Sequence, residues 1–279
     1  MLEINNIYKT FNPGTVNEKV ALNGVSLKLN DGDFVTVIGG NGAGKSTLLN
    51  AVAGTWKVDE GSILIDGIDV TKMQDYKRAK FLGRVFQDPM MGTVPTMGID
   101  ENLALAARRG KFRGLAREIT AKERAGFKEI VKILDLGLED RLTSKVGLLS
   151  GGQRQAVTLL MASLKKPKLL LLDEHTAALD PKTAAKVLDA TETIVNRDHL
   201  TTLMITHNMK DAIAHGNRLI MMKDGKIILD ISGEEKKNLT VEELLEKGYS
   251  ISGVAQEVDH YCEGKNVIGY DELGGLKIA

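Results

Sequence analysis

The stretch that decides the fold reads Gly39-Gly40-Asn41-Gly42-Ala43-Gly44-Lys45-Ser46. It has the pattern G-x-x-x-x-G-K-[ST] of a phosphate-binding loop. The apolar residues 34–38 precede it and residues 47–53 follow it, which predicts a buried strand, a glycine turn and a helix in that order. Backbone N–H groups of such a turn converge on phosphate, and the helix N-terminus adds partial positive charge. Residues 39–47, from Gly39 to Thr47, are therefore predicted to bind nucleotide phosphates, with Lys45 at the terminal phosphates and Ser46 on Mg²⁺.

Composition narrows the class of protein. The chain has 279 residues with 37 basic and 37 acidic side chains, and this balance gives no support for a nucleic-acid partner. The single cysteine, Cys262, excludes a disulfide framework and favours a reducing, cytosolic setting. No stretch approaches the roughly 18 apolar residues of a membrane span, and the alternating N-terminus does not resemble a signal peptide. Any membrane role is therefore expected to be peripheral.

The hydrophobic pattern predicts an α/β body interrupted by a helical insertion at about residues 88–164. Strands are predicted near residues 2–7, 25–29, 62–65, 85–87, 169–172, 202–205, 218–222 and 226–229. Within the insertion, apolar residues 127, 130, 131 and 134 share one helical face, and Gly137 is predicted to cap that helix. Residues 240–243 predict a capping box, whereas the glycines and mixed charges of residues 264–275 predict a poorly packed tail.

Two carboxylates follow the apolar residues 169–172 directly. A fully apolar strand that ends in Asp173 and Glu174 suits a parallel sheet whose C-terminal edge holds the ligand. Asp173 is predicted to hold Mg²⁺, directly or through water. Glu174 is predicted to face the terminal phosphate as a base for water.

A second motif, Leu149-Ser150-Gly151-Gly152-Gln153, lies about twenty residues earlier. Ser150 is a favourable N-cap for a helix with a small, apolar face, formed by residues 156, 159, 160 and 163.

These motifs together resemble those of the ATP-binding cassette (ABC) ATPase family over about residues 1–231. The matching segments are the Walker A loop at residues 39–46, the Q-loop at Gln87, the signature at residues 149–153, the Walker B strand at residues 169–173, the D-loop at residues 178–180 and the switch histidine at His207. The resemblance implies a phosphate-loop (RecA-like) nucleoside triphosphatase core with an antiparallel β subdomain and an inserted α-helical subdomain. Residues 232–279 would form a C-terminal extension that is partly helical.

The resemblance also implies roles for single residues. Two cassettes of this family meet head to tail and enclose two ATP molecules, so that Lys45 of one chain and the signature of the other flank one γ-phosphate. The implied signature contacts are Ser150, Gly151, Gly152 and Gln153, with Asp180 in the D-loop. Phe11 corresponds to the aromatic residue that stacks on adenine, with Tyr8 as the competing candidate. Gln87 would contact Mg²⁺ and the attacking water, and His207 would contact the γ-phosphate and orient Glu174.

The implied function is that of the ATPase subunit of a bacterial membrane transporter, bound peripherally to the cytoplasmic face of the membrane. Many members of the family carry proline at position 175, whereas Asp173-Glu174-His175-Thr176-Ala177-Ala178-Leu179-Asp180 resembles a bacterial subgroup of tryptophan/tyrosine-type importers. The expected partners are a second cassette in a homodimer or heterodimer, integral membrane permease subunits and an extracytoplasmic substrate-binding protein. The alternatives are a soluble ABC ATPase of translation or repair and the cassette of an export or mechanical-release system.

The loop after Gln87 is unusually apolar, since residues 88–94 read Asp-Pro-Met-Met-Gly-Thr-Val. Adaptable methionines suit a docking surface, and with the helix near residues 101–108 this loop is predicted to receive a cytoplasmic helix of the permease. The alternative is that Met90 and Met91 pack internally beneath the helical insertion.

Overall fold

The computed structural model describes residues 1–110, 119–252, 267–270 and 276–278. The strands are β1 (Leu2–Phe11), β2 (Lys19–Leu29), β3 (Phe34–Ile38), β4 (Glu60–Ile65), β5 (Ile68–Asp69), β6 (Leu82–Val85), β7 (Leu169–Asp173), β8 (Thr202–Ile205), β9 (Arg218–Lys223), β10 (Lys226–Ser232), β11 (Val267–Tyr270) and β12 (Leu276–Ile278). The α-helices are α1 (Lys45–Ala53), α2 (Asp75–Arg78), α3 (Ile99–Ala107), α4 (Ala121–Val131), α5 (Gly151–Ser163), α6 (Pro181–Asp198), α7 (Met209–Ala214), α8 (Gly233–Lys237) and α9 (Val241–Ser252). Two short 3₁₀ segments are Lys132–Leu134 and Val146–Leu148.

A six-stranded sheet in the order β10-β9-β3-β8-β7-β6 forms the centre of the fold. Strands β9, β3, β8, β7 and β6 run parallel, and β10 returns antiparallel after the turn at Asp224-Gly225. Every residue of β3 and β8 is buried, as expected for parallel strands that are covered on both faces. Because the parallel strands end at one edge, the loops after β3, β7 and β8 lie side by side.

An antiparallel sheet in the order β2-β1-β4-β5 covers one side of the molecule. The alternating residues Leu2, Ile4 and Ile7 are buried and pack in a core that also includes apolar residues of α1 and β3. This packing fixes α1, and with it the phosphate-binding loop, between the two sheets. The predicted α/β class with an antiparallel sheet is therefore confirmed.

Helices α3, α4 and α5 lie between β6 and β7, where the helical insertion is predicted. Their apolar faces share one core with the other face of the central sheet and with α6. Two local predictions are wrong. The strand near residues 85–87 spans Leu82–Val85 instead, because residues 86 and 87 extend past the last backbone pair with β7. Gly137 is not the helix cap, because the helix tightens to a 3₁₀ turn that ends at Asp135 in the left-handed conformation, which aspartate tolerates.

Helices α8 and α9 follow β10, and α9 together with the linker before it contributes to a third core. Leu239 and Leu244 are buried there with Ile38 of β3 and Leu219 of β9. The predicted capping box is present, since Thr240 N–H donates to Glu243 Oε2 at 3.0 Å, and Glu243 N–H donates to Thr240 Oγ1 at 3.2 Å. The predicted domain boundary at residue 231 stays a prediction.

The tail predicted for residues 264–275 lies largely outside the described residues, which include only the antiparallel pair β11–β12 beyond α9. Within the described ranges, every helix is too short or too polar to cross a membrane.

Candidate active site

The phosphate-binding loop needs glycine at two positions for backbone reasons. Gly39 has φ 149°, and a Cβ there would lie 2.2 Å from the carbonyl oxygen of Met222. Gly44 is the N-cap of α1 with φ 100°, and a Cβ there would lie 2.5 Å from the carbonyl oxygen of Ala21. Among the described residues, no side chain caps this helix N-terminus. The start of α1 thus presents its amide groups and its positive end to an anion.

Lys45 is buried beneath this loop. Its Nζ donates to the carbonyl oxygen of Gly39 at 2.6 Å and to that of Gly40 at 3.1 Å. Burial lowers the pKa of Lys45, whereas the charges of Glu174 and Asp173 raise it. The ammonium group can therefore exchange loop carbonyls for phosphate oxygens, which are stronger acceptors because they are charged.

A cleft of about 460 Å³ lies beside the loop and gathers residues from distant parts of the sequence. This volume lies within the range of about 300–1,000 Å³ that is usual for small-molecule sites. The lining residues are Phe11, Lys19, Ala21, Asn41, Gly42, Ala43, Gly44, Lys45, Ser46, Thr47, Gln87, Glu174 and His207. The structure thus brings together most of the residues that were predicted to bind ATP within one chain.

The aromatic end of the cleft contains Phe11, the last residue of β1. Its ring meets the edge of Trp56, with centroids 4.7 Å apart and an interplanar angle of 77°. Tyr8 does not line the cleft, because its hydroxyl lies beside Gly24. Between the two candidates for adenine stacking, the geometry favours Phe11.

Glu174 and His207 form a direct pair at the edge of the central sheet. His207 Nε2 lies 2.6 Å from Glu174 Oε1, so the ring N–H donates to the carboxylate. Glu174 has a positive φ of 47°, and its N–H donates to the carbonyl oxygen of Ile205 at 3.1 Å. A non-glycine residue in this region costs about 1–3 kcal/mol, and such strain is concentrated at functional sites. The pair can hold a carboxylate oriented to accept a proton from water.

Asp173 lies one residue earlier and is largely buried. Burial raises the pKa of its carboxyl, and the neighbouring guanidinium of Arg84, 3.5 Å away, acts in the opposite direction. Mg²⁺ prefers few protein oxygens together with phosphate oxygens and water. A carboxylate at Asp173 and a hydroxyl at Ser46, close to a phosphate-binding loop, are such a donor set, so these residues fit the ion. No cluster of three or more His, Cys, Asp or Glu side chains suited to a metal occurs in the described part of the chain.

The signature residues lie apart from this cleft. Ser150 Oγ accepts from the Gln153 N–H at 3.3 Å, and Gln153 Oε1 accepts from the Ser150 N–H at 3.2 Å, which closes a capping box on α5. Gly152 packs against α6, where a Cβ would lie 1.9 Å from Thr183 Cγ2. Asp180 Oδ1 caps α6 by accepting from the Thr183 N–H at 3.1 Å. Gly151, at the exposed end of α5, does not line the cleft either, so each of these predicted contacts has its place outside the chain's own nucleotide cleft.

Sequence reasoning missed Lys19, Trp56 and Arg84. Lys19 reaches the cleft because it pairs with Phe11 in the antiparallel register of β1 and β2. Arg84 reaches Asp173 because β6 and β7 are neighbours, although the two residues are 89 positions apart. The sequence positions of Lys19 and Arg84 carry no motif, so only strand pairing could have identified them. Trp56 lies in the loop after α1, and only its contact with the Phe11 ring identifies it.

The fold and this site define a phosphate-loop ATPase, and comparison with known proteins gives its family. A family profile described as ABC transporter matches residues 22–177. The chain is 46% identical over 252 residues to a tyrosine transport ATP-binding protein of Clostridioides difficile (strain R20291), covering 88% of this chain and 98% of that protein. It is 33% identical over 262 residues to the ABC transporter ATP-binding protein YxdL of Bacillus subtilis (strain 168), covering 92% of this chain and 97% of that protein.

Solved structures agree with this assignment. The ATP-binding cassette MJ0796, described as a dimer in a post-hydrolysis state with ADP and Pi, matches with a TM-score of 0.70 at 31% identity. The match covers 83% of this chain and 98% of that one. The chain therefore belongs to the ABC transporter family as an ATP-binding cassette, and its activity is ATP hydrolysis.

Proposed function

We propose that this cassette drives a bacterial importer for an aromatic amino acid of the tyrosine or tryptophan class. The observation that carries the proposal is the 46% identity, over nearly the full length of both chains, to a protein named for tyrosine transport. A further relative, 34% identical, is named for spermidine/putrescine import, although the chain spans only 62% of its length. These relatives do not favour a soluble role in translation or repair, or an export role.

The substrate assignment has a direct test. The cassette is purified with its permease, reconstituted in vesicles together with the binding protein, and assayed for ATP hydrolysis. Tyrosine or tryptophan is expected to stimulate hydrolysis, because loaded binding protein would favour the closed dimer. Stimulation by spermidine and not by an aromatic amino acid would contradict the proposal.

In the proposed chemistry Glu174 is the general base for water, His207 orients it, and Gln87 contacts the water and Mg²⁺. Ser46, Asp173 and Gln87 would hold Mg²⁺, which supplies charge stabilisation to the phosphates when bound. Residues 39–47, which include Lys45, would bind the phosphate chain, and Phe11 would stack on the adenine.

Glu174→Gln tests this assignment because it keeps the shape of the side chain and removes the base. Turnover is expected to fall at least about 100-fold, the scale of general-base catalysis, while Mg²⁺-ATP binding is kept. Glu192→Gln is the matched control, since Glu192 Oε2 also pairs with a histidine, His215 Nδ1, at 3.2 Å. Normal turnover by Glu174→Gln would rule out its role as the base.

The signature is proposed to complete the active site of a second copy. This is supported by the position of Ser150 and Gly151 at an exposed helix N-terminus outside their own cleft, and by the dimeric relative. Mixed dimers of a Lys45→Ala chain and a Ser150→Arg chain test it. Head-to-tail pairing places both lesions in one composite site and leaves the other site able to bind ATP. If nucleotide occupancy is instead lost at both sites, the head-to-tail arrangement is wrong.

The permease is proposed to dock on the loop after Gln87, which places the cassette on the cytoplasmic face of the membrane. Apolar side chains there are exposed: Met90 by 60%, Met91 by 49% and Val94 by 39%. Leu148, 74% exposed, joins the same surface because the Gly147 N–H donates to the carbonyl oxygen of Pro95 at 2.9 Å. An open cavity of about 510 Å³ on the same helical region, lined in part by α3, offers room for a partner helix.

Charged substitutions test this docking surface. Met90→Lys and Met91→Asp are expected to abolish co-purification of the permease and to leave ATP binding by the isolated cassette intact, since an unpaired charge resists burial. Lysine is used at position 90 because the Arg154 guanidinium contacts the Met90 sulfur and would pair with a carboxylate there. Val16→Asp, at a fully exposed apolar residue between β1 and β2, is the control. Undiminished co-purification of both methionine variants would exclude this surface.

A further inference from the structure

Arg84, in the edge strand β6, is a second cation next to Asp173 that the phosphate-binding loop does not provide. Its Nη2 lies 3.5 Å from Asp173 Oδ2 and donates at 2.8 Å to Asn50 Oδ1 of α1. Its Nη1 donates at 3.2 Å to Thr55 Oγ1 in the loop after α1. The side chain is only 18% exposed, so these contacts hold it in a largely desolvated place.

Asn50 extends this contact to the phosphate-binding loop. While its Oδ1 accepts from Arg84, its Nδ2 donates at 2.7 Å to the backbone oxygen of Ser46. One guanidinium is therefore linked to both residues that fit Mg²⁺, directly to Asp173 and through one amide to Ser46. These two ligands are otherwise supplied by different elements, β7 and α1.

An aromatic ring just after β6 also contacts the guanidinium. The Arg84 Cζ lies 4.6 Å from the centroid of the Phe86 ring, one residue before Gln87. This cation–π contact restrains a guanidinium that also meets acceptors on two sides. The arrangement uses the fork geometry of arginine, which a lysine ammonium does not reproduce.

We propose that Arg84 is a positioning residue for the magnesium site, which orients the Asp173 carboxylate and, through Asn50, the Ser46 segment before Mg²⁺-ATP binds. The inference rests on the proposed roles of Ser46 and Asp173. The direction in which metal affinity changes when Arg84 is removed distinguishes a positioning role from a purely electrostatic one. A cation near a metal site repels the metal, so loss of Arg84 would strengthen metal binding if charge alone mattered. Loss of a positioning contact weakens it.

The test measures metal affinity without turnover. Mn²⁺ replaces Mg²⁺, the non-hydrolysable analogue AMP-PNP replaces ATP, and free Mn²⁺ is followed by electron paramagnetic resonance. Arg84→Met is expected to weaken Mn²⁺ binding to the protein–nucleotide complex about 10-fold or more, the usual effect of losing a contact that orients a metal ligand. Affinity for AMP-PNP in EDTA is expected to stay unchanged, and Arg84→Lys is expected to be intermediate. Unchanged or tighter Mn²⁺ binding by Arg84→Met overturns the proposal.

Two further variants keep the test decisive. Arg218→Met removes another strand arginine, which pairs with Asp230 on the hairpin β9–β10, and should leave Mn²⁺ affinity unchanged. If Arg84→Met does not fold, Asn50→Ala tests the same link and should also weaken Mn²⁺ binding; unchanged affinity in that variant overturns the proposal. Failure of the proposed ATPase chemistry is seen in a separate measurement: the Glu174→Gln variant would then hydrolyse ATP as fast as the wild type.

Discussion

Lowering the pH from 7 to 5 is expected to destabilise this protein through His175, the residue directly after the proposed base. The imidazole is 1% exposed, and its Nε2 lies 3.1 Å from Thr191 Oγ1. Because the Thr191 hydroxyl donates to the carbonyl oxygen of Val187 at 2.7 Å, the imidazole Nε2–H is the donor in the first contact. Burial, with a smaller contribution from the charge of His215, lowers the pKa of His175 from 6.5 to about 4.

The sign and size of the effect follow from linkage. In the unfolded chain the imidazole takes up a proton as the pH falls below 6.5, whereas in the folded protein it stays neutral until about pH 4. The unfolded state therefore binds more protons in this window, and stability falls as the pH falls. Between pH 7 and pH 5 the two pKa values correspond to a loss of about 2 kcal/mol in the free energy of unfolding.

Urea unfolding at both pH values measures this loss. His175→Gln removes the titrating group, so its loss of stability between pH 7 and pH 5 should be smaller than that of the wild type by about 2 kcal/mol. His199→Asn is the control, because His199 is exposed at the end of α6 in a left-handed conformation that asparagine tolerates. Equal losses in the wild type and in His175→Gln would refute the reasoning, whatever the stability of the variant at pH 7.

Two further predictions concern packing around the site. Gly152→Ala is expected to lower the free energy of unfolding in urea by about 1–3 kcal/mol, as overpacking does, because its Cβ would meet Thr183 Cγ2 at 1.9 Å. Adding Thr183→Ala to this variant should recover the lost stability. Gly151→Ala should fold normally, because the nearest atom to its Cβ would be 3.5 Å away. Failure of Thr183→Ala to rescue would contradict the contact. Trp56 is the only tryptophan of the chain and touches Phe11, so ATP binding should change its fluorescence, and Phe11→Ala should abolish that response. Unchanged emission at ATP concentrations that calorimetry shows to be saturating would argue against adenine stacking at Phe11.

Local chemistry made much of this protein predictable. The glycine loop, the apolar strands β3, β7 and β8, the N-cap at Ser150 and the capping box at Thr240 each involve residues that are close in the chain. Backbone conformation and burial pattern at such places depend mainly on the local residues, so the motif order indicated the family. The local pattern was least reliable at element ends. It placed Gln87 inside a strand, whereas β6 ends at Val85. It also placed a helix cap at Gly137, whereas an earlier 3₁₀ turn ends at Asp135.

The sequence by itself predicted a nucleotide site and its candidate residues, and the tertiary structure decided which of these residues meet. Parallel pairing of β7 with β8 brings Glu174 within 2.6 Å of His207. Neighbouring strands β6 and β7 place Arg84 beside Asp173, and the signature at Ser150 is left outside the cleft of its own chain. The physical reason is that strand order and register depend on burying apolar faces that are far apart in the chain, and a short motif carries no information about that packing.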